Sequence, residues 1–296
     1  MPNFDAHNST VATLLRAASD IFAQAPVCSP TPKLDARILL MHAADKNEGD
    51  LIAQADELIP SARVKIFEDM VARRILREPI AYIIGYRDFW KSRFKVTPDV
   101  LIPRPDSEIL IETALKLRPP AQKDVMNILD LGVGSGCLLG SLLAEYSHSN
   151  GIGVDASFEA AKIALENLQI NAISTRAMVV MGHWLDAICG PFDLIIANPP
   201  YIAQEDYKEL EPEIRNFEPR SALVSPESGQ ADYEMILSNC LDKIASKGLI
   251  LLEIGDGQAG FLDRLSQKLF KDCAINIHKD LAGLERCLSI DLAIKK

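Results

Sequence analysis

Val125-Met126-Asn127-Ile128-Leu129-Asp130-Leu131-Gly132-Val133-Gly134-Ser135-Gly136 decides the fold. An apolar run of strand length ends in a glycine-dense turn, and Cys137-Leu138-Leu139 starts a helical pattern directly after it. Near-continuous apolar runs mark strands buried on both faces of a parallel sheet. Glycines at such a strand end let the backbone turn tightly and approach a ligand with no Cβ in the way. The alternation then repeats downstream. Ile152-Gly153-Val154-Asp155 ends a second strand, and Ser157 caps a helix carrying Ala160, Ala161, Ile163, Ala164 and Leu168. Ala177 to Met181 is a third strand and Phe192 to Ala197 a fourth. A helix from Tyr233 to Ala245 precedes a strand from Leu249 to Ile254. Ala274 to His278 and Cys287 to Ala293 read as a closing pair of strands. This order specifies an α/β domain, a mostly parallel sheet covered by helices on both faces.

The chain before it is of another kind. Residues 1–85 read as a bundle of short helices. One runs from Val11 to about Ala25, and Pro26, Pro30 and Pro32 break the chain after it. A second carries Leu34, Ile38, Leu39, Leu40 and Met41, with Asp35 and Arg37 among its polar positions. A short third holds Leu51 and Ile52, and Ser61 is a candidate cap for a fourth carrying Val64, Phe67, Met70, Val71 and Ile75. His7 and His42 read as incidental rather than functional. Aromatic and β-branched residues from Pro79 to Val96 suggest a β-hairpin. Pro103 and Pro105 stiffen the segment that follows, and Asp106 or Ser107 can cap a helix from Glu108. The division is therefore 1–85 helical, 86–105 hairpin and linker, and 106–296 the α/β domain.

The 296 residues are 48% hydrophobic, as in an ordinary globular protein. No apolar run approaches the ~20 residues that cross a bilayer. Met1 to Asn8 lacks the basic and apolar regions of a secretory leader. The six cysteines are scattered, without a Cys-x-x-Cys pair or a histidine cluster of metal-ligand spacing. They read as reduced, mostly buried thiols of a cytoplasmic protein, and no metal is expected. The net charge of −10 disfavours broad nucleic-acid binding. Residues 86–105 alone carry five basic side chains against two acidic, net +3, a ribbon able to meet RNA or an acidic protein as well as solvent.

Asp155 stands 19 positions after Gly136, where an acid at the end of the second strand accepts both ribose hydroxyls of a nucleoside. The spacing Gly-x-Gly-x-Gly after Asp130 differs from the dinucleotide pattern Gly-x-Gly-x-x-Gly. That favours S-adenosyl-L-methionine, with a nicotinamide dinucleotide as the alternative. Trp184, in the loop after the third strand, is placed to wall or stack on the adenine. The fourth strand ends in Asn198-Pro199-Pro200-Tyr201, a stiff corner at the edge where open α/β sheets bind ligands. The Asn198 side-chain oxygen and the Pro199 carbonyl are two acceptors suited to an NH2-bearing methyl acceptor. Tyr201 offers a face for a planar group.

Several segments together resemble the HemK/PrmC family of peptide chain release factor glutamine N5-methyltransferases. They are Tyr82-Ile83-Ile84-Gly85 with Phe89-Trp90, Leu101-Ile102-Pro103-Arg104-Pro105-Asp106-Ser107-Glu108, the Asp130–Gly136 loop, and Asn198-Pro199-Pro200-Tyr201-Ile202. Glu218-Pro219-Arg220, Leu252-Glu253-Ile254-Gly255 and Lys279-Asp280-Leu281-Ala282-Gly283 complete the set. The resemblance implies a class I S-adenosylmethionine-dependent methyltransferase, Rossmann-like with a seven-stranded sheet. It implies methylation of the glutamine side-chain amide in the Gly-Gly-Gln motif of class 1 release factors, with S-adenosyl-L-homocysteine as by-product. It would place Asp130, Gly132, Val133, Gly134, Ser135, Gly136, Asp155, Trp184 and Asn198 at the cofactor. Asn198, Pro199, Pro200 and Tyr201 would hold the glutamine, with Asn198, Pro199 and Tyr201 as the catalytic set. The helical module and hairpin would grip the release factor. Asn-Pro-Pro-Tyr is shared with nucleic-acid amino-methyltransferases, which stand as the alternative, and a noncatalytic binding protein is a third reading. His183 departs from the aspartate usual in the family before the tryptophan, and Val224 to Gln230 departs from its glycine-rich tract.

Overall fold

The computed structural model describes residues 4, 5, 9–24, 27–120 and 125–294. The expectations placed on Met1 to Asn8, His7, Ala25 and Pro26 fall wholly or largely outside that set. Two compact units form, Met1–Gly85 with Glu211–Phe217, and Tyr86–Leu210 with Glu218–Lys296.

In the first unit, helices Val11–Ala23, Pro32–Ala44, Glu48–Ala53 and Ser61–Ile75 bury Leu14, Phe22, Leu39, Leu40, Val64 and Phe67 against one another. Thr10 starts the first helix with a reciprocal capping box to Thr13. Ser61 does not cap. It is the first residue of its helix, and Pro60 holds the cap position with no side-chain bond. Ile80–Ile84, expected as an approach to the hairpin, is a short helix ended by Gly85 at φ +84°. Burial of Ala81, Tyr82 and Ile83 outweighs the β preference of this stretch.

Asp35 is not a solvated position of its helix. It is buried, its carboxylate accepting from Ser29 Oγ at 2.8 Å, Thr31 Oγ1 at 3.0 Å and Arg74 Nε at 2.9 Å. Arg74, also buried, donates on to Glu213 at 2.7 Å, and Arg77 to Glu211 at 3.2 Å. The helix Pro212–Phe217 thus joins the first unit although the chain reaches it from the second.

The second unit begins with a hairpin of β1 (Tyr86–Phe89) and β2 (Ser92–Lys95), Trp90 and Lys91 forming its turn. Its basic ribbon is largely neutralised. Arg93 pairs with Asp88, Lys91 with Glu145, Lys95 with Glu166 and Arg104 with Glu218. Phe89 and Phe94 turn inward and join one of two apolar cores.

A seven-stranded sheet follows. Its strands are β3 (Asn127–Leu131), β4 (Asn150–Asp155), β5 (Ala177–Met181), β6 (Phe192–Ala197), β7 (Ile244–Glu253), β8 (Ala274–Lys279) and β9 (Glu285–Asp291). Their order is β5-β4-β3-β6-β7-β9-β8, parallel except for β9, which runs against both neighbours. The fold expected from the sequence is present. One core cluster holds Leu129, Ile195, Tyr233 and Leu252, and the other Ile128, Leu139, Leu194 and Leu251. Alternate residues of the same strands thereby serve the two faces. The helix expected from Tyr233 to Ala245 is Ala231–Cys240, because Ile244 is drawn into β7 opposite Phe192. The cysteines are unpaired, but only Cys240 and Cys287 are buried, whereas Cys28 and Cys189 are exposed. Among the described residues no helix is long and apolar enough to cross a membrane.

Replacing Arg74 by Met leaves the Asp35 carboxylate buried without its counter-charge. The unfolding free energy, read by urea denaturation, falls by about 3–5 kcal/mol, as for broken buried ion pairs.

Candidate active site

The sheet sets the site. From β3 the chain winds outward through β4 and β5, then returns to β6 on the other side of β3. The crevice at such a reversal, beyond the carboxyl ends of the strands, is where open α/β sheets bind ligands. Leu131 pairs with Ala197, so Gly132 and Asn198 stand one residue past the same rung. A cavity of about 510 Å³ opens there. Gly132, Val133, Gly134 and Ser135 line it from the β3 side, and Asp155, Trp184, Asn198 and Pro200 from the neighbouring strand ends.

The glycine loop is pinned from below. Gly132 and Val133 both donate to the Val154 carbonyl, at 2.8 and 2.9 Å. Gly132 has φ +73°, and a Cβ there would come within 3.3 Å of the Trp184 ring. Gly136 caps the Cys137–Glu145 helix at φ +78° and lies against Ala164 with no room to spare. The Asp155 carboxylate accepts from Gly134 N and Ser157 N, both at 2.9 Å, so each oxygen keeps a further lone pair. Trp184 holds φ +47°, and its indole Nε1 donates to Asp232 at 2.9 Å. His183 is exposed on the cavity rim, edge-on to Trp184.

Asp130 does not line the cavity. It lies wholly buried beneath the loop and accepts from Leu139 N at 3.1 Å, its other oxygen unpartnered. Burial pushes its carboxyl up to about 7. Gly136, Pro199 and Tyr201 also stand off the cavity wall.

At the corner, Asn198 Nδ2 donates to Ser107 Oγ at 3.2 Å. Neither its Oδ1 nor the Pro199 carbonyl accepts a bond from the described residues. The corner is clamped from behind. Gln258 Nε2 donates to the carbonyls of Tyr201 and Gly229, at 3.1 and 3.2 Å, and its Oε1 accepts from Gly255 N at 3.0 Å. Burial raises the Tyr201 phenol to about 12, so it stays protonated. Among the described residues no cluster of three or more His, Cys, Asp and Glu is placed to hold a metal ion.

Residues 13–85 match the PrmC N-terminal domain, and residues 106–214 the methyltransferase small domain. A release factor glutamine methyltransferase of Rhodospirillum rubrum is 37% identical over 257 residues, 87% of this chain and 78% of the relative. One from Nitratidesulfovibrio vulgaris is 34% identical over 284 residues, 94% of each chain. The chain belongs to the release factor glutamine methyltransferase family. Its fold is also that of more distant solved structures. A methyltransferase from Pyrococcus furiosus aligns with TM-score 0.52 at 16% identity, over 77% of this chain and all of its own. The human Mettl16 catalytic domain, solved with a MAT2A 3'UTR hairpin, aligns with TM-score 0.57 at 15% identity, over 76% and 82%.

Several wall residues escaped the sequence reading. Ser107 stands at a helix cap position, yet its hydroxyl oxygen accepts from Asn198 and makes no cap bond. Arg104 and Ile102 N bond the buried Glu218, which holds the Pro-Arg-Pro segment at the cavity edge. Asp232 has no local signal, since it meets Trp184 across 48 residues.

The Asp130 carboxyl rises from 3.8 to about 7 on burial, so the folded state keeps a proton that the unfolded state has lost between those values. Its contribution to stability is full below pH ~4 and lost as pH rises through ~7. Asp130→Asn keeps the acceptor for Leu139 N and removes the charge. Denaturation at pH 5 and pH 8 shows a flatter dependence in the variant, with a gain of about 1–3 kcal/mol at pH 8.

Proposed function

We propose that this protein transfers a methyl group from S-adenosyl-L-methionine to the side-chain amide nitrogen of the glutamine in the Gly-Gly-Gln motif of class 1 release factors. The observation that carries the reading is the pair of unpartnered acceptors, Asn198 Oδ1 and the Pro199 carbonyl, on a rigid corner at the switch point. Membership of the family supports it. Free thiols at Cys28 and Cys189 support a reducing, cytoplasmic setting.

The residues present fit the cofactor. Gly132 leaves the space beside Trp184 that a Cβ would fill. Asp155 has a lone pair left on each oxygen for ribose hydroxyls, and Trp184, fixed by Asp232, walls the adenine. His183, in place of the family's aspartate, leaves the adenine amino group to other acceptors. When bound, the cofactor supplies an electrophilic methyl on a sulfonium and leaves as S-adenosyl-L-homocysteine.

The chain's own residues do the rest by holding the acceptor. A carboxamide nitrogen is a poor nucleophile because its lone pair is delocalised into the carbonyl. Asn198 Oδ1 and the Pro199 carbonyl each accept one N–H of the glutamine amide. Together they fix its orientation, favour a pyramidal nitrogen and stabilise the positive charge that develops there. Pro200 forms the wall beside them, and Tyr201 and Gln258 keep the corner from yielding. The proton leaves after transfer, so no strong base is required. The helical unit and the hairpin receive the body of the release factor. The neutralised ribbon of residues 86–105 favours a protein substrate over nucleic acid.

Mass spectrometry of a release factor incubated with the protein and labelled S-adenosyl-L-methionine finds the label on the Gly-Gly-Gln glutamine. Label on nucleic acid and none on that glutamine sinks the reading. Asn198→Ala lowers turnover by about 100–1000-fold, the cost of one lost transition-state partner, while cofactor affinity by calorimetry changes far less.

A further inference from the structure

We infer that Gln258 is a positioning residue that fixes the spacing between the methyl-acceptor corner and the adenine wall, by fastening the segment 223–232 to the Tyr201 carbonyl. The inference rests on the reaction proposed above and adds to it what keeps donor and acceptor at one separation.

Residues 223–232 run from the acceptor side of the cavity to the donor side. At one end, just past the corner, Ile202 N donates to the Leu223 carbonyl and Ile202 O accepts from Ser225 N, both at 3.0 Å. At the other end Asp232 accepts from the Trp184 indole at 2.9 Å. Val224, Pro226, Ala231 and Asp232 line the cavity between them. The middle turns through three successive residues of positive φ, Glu227 at 52°, Ser228 at 57° and Gly229 at 79°. Two of these are not glycine, so the turn is strained and its local preferences do not hold it. It also lies hard against the corner. A Cβ on Gly229 would stand 2.1 Å from the Tyr201 carbonyl oxygen.

Gln258 holds the turn in that place. Its Nε2 donates to Tyr201 O at 3.1 Å and to Gly229 O at 3.2 Å, and its Oε1 accepts from Gly255 N at 3.0 Å. A flipped amide would set Oε1 against two carbonyls and Nε2 against an N–H, so these partners permit one orientation. The helix it begins does not call for this residue. Gln258 stands at the N-cap of Ala259–Leu269 and makes no side-chain cap bond, where Ser, Thr, Asp or Asn would serve better. One amide thus joins the corner, the segment that carries Asp232, and the chain leaving β7, whose Leu252 pairs with Ala197. Were the Gly229 turn to lift away, Asp232 and Trp184 would follow it, and the donor would lie at another distance from the glutamine nitrogen. A misplacement of about 1 Å in such an alignment costs about 100-fold in rate.

The test uses Gln258→Met, of similar length without the hydrogen bonds, and Gln258→Glu, which keeps the acceptor for Gly255 N and loses the amide donors. Asp232→Ala and the double variant Gln258→Met with Asp232→Ala complete the set. Release-factor methylation gives kcat and KM, calorimetry gives S-adenosyl-L-methionine affinity, and urea denaturation checks that each variant is folded. Both Gln258 variants lower kcat by about 10–100-fold, with KM for the release factor within about threefold of wild type. Gln258→Met and Asp232→Ala each weaken cofactor binding by about 3–10-fold, the scale of a lost hydrogen bond. The double variant binds no more weakly than the worse single one, since both act through the same segment. A kcat or a cofactor affinity equal to wild type in Gln258→Met overturns the proposal, as does a wild-type rate in Gln258→Glu. Losses of affinity that multiply in the double variant also overturn it. The calorimetry separates this claim from the proposed function. If wild type binds the cofactor and leaves the glutamine unmethylated, the function fails, and the coupling in cofactor affinity still decides the positioning claim.

Discussion

The register of three parallel strands is the constraint on which the site depends. Leu131, Ala197 and Leu252 lie side by side on β3, β6 and β7. The residues one step beyond are Gly132, Asn198 and Glu253. Main-chain hydrogen bonds between these strands therefore bring together three residues separated by 66 and 55 positions in the chain. Strand side chains alternate between faces, so a slip of one residue would exchange the two apolar cores and turn all three ends away. The buried Leu and Ile of β3, β6 and β7 set the geometry of the chemistry as firmly as the polar residues do.

Around that frame the protein keeps polar groups in places that cost stability. Asp130 and Glu253 are both buried, both have an unpartnered oxygen, and both are pushed towards neutral pKa values by burial. Neither touches the cavity wall. One lies under the glycine loop and one behind the corner. Buried polar groups of this kind are tolerated where they hold a neighbouring backbone or amide in one orientation. The non-glycine Trp184 at φ +47° belongs with them as a strained residue at the ligand face.

The parts legible in the sequence were those decided by local pattern. Strands β3 to β6 follow from apolar runs of strand length, the loop from its glycines, and the corner from two prolines. The helix cap at Ser157 was legible because cap and target are three residues apart. What escaped was settled by distant partners. Asp35 looks like a solvated helix position until Arg74, 39 residues on, lies against it. Ile80–Ile84 carries β-favouring residues and becomes helical as Ala81, Tyr82 and Ile83 are buried. Ser107 fits a cap by position, but its hydroxyl oxygen answers to Asn198, which lies far along the chain. Residues near the cavity were readable as types. Their hydrogen-bond directions were not, because those depend on which proton goes to which neighbour.

The helix Pro212–Phe217 gives the two units an unequal inheritance. One unit is assembled from a leading segment and a borrowed piece of the other's sequence. Glu211 and Glu213 meet their arginines only when residues upstream of Gly85 are present. The first unit can therefore not be exchanged between proteins by joining chains at a single point. A graft at Gly85 would bring Arg74 and Arg77 from one parent and their carboxylates from the other. Modules divided in this way are bound to diverge as a pair, each substitution on one side judged by a residue more than a hundred positions away.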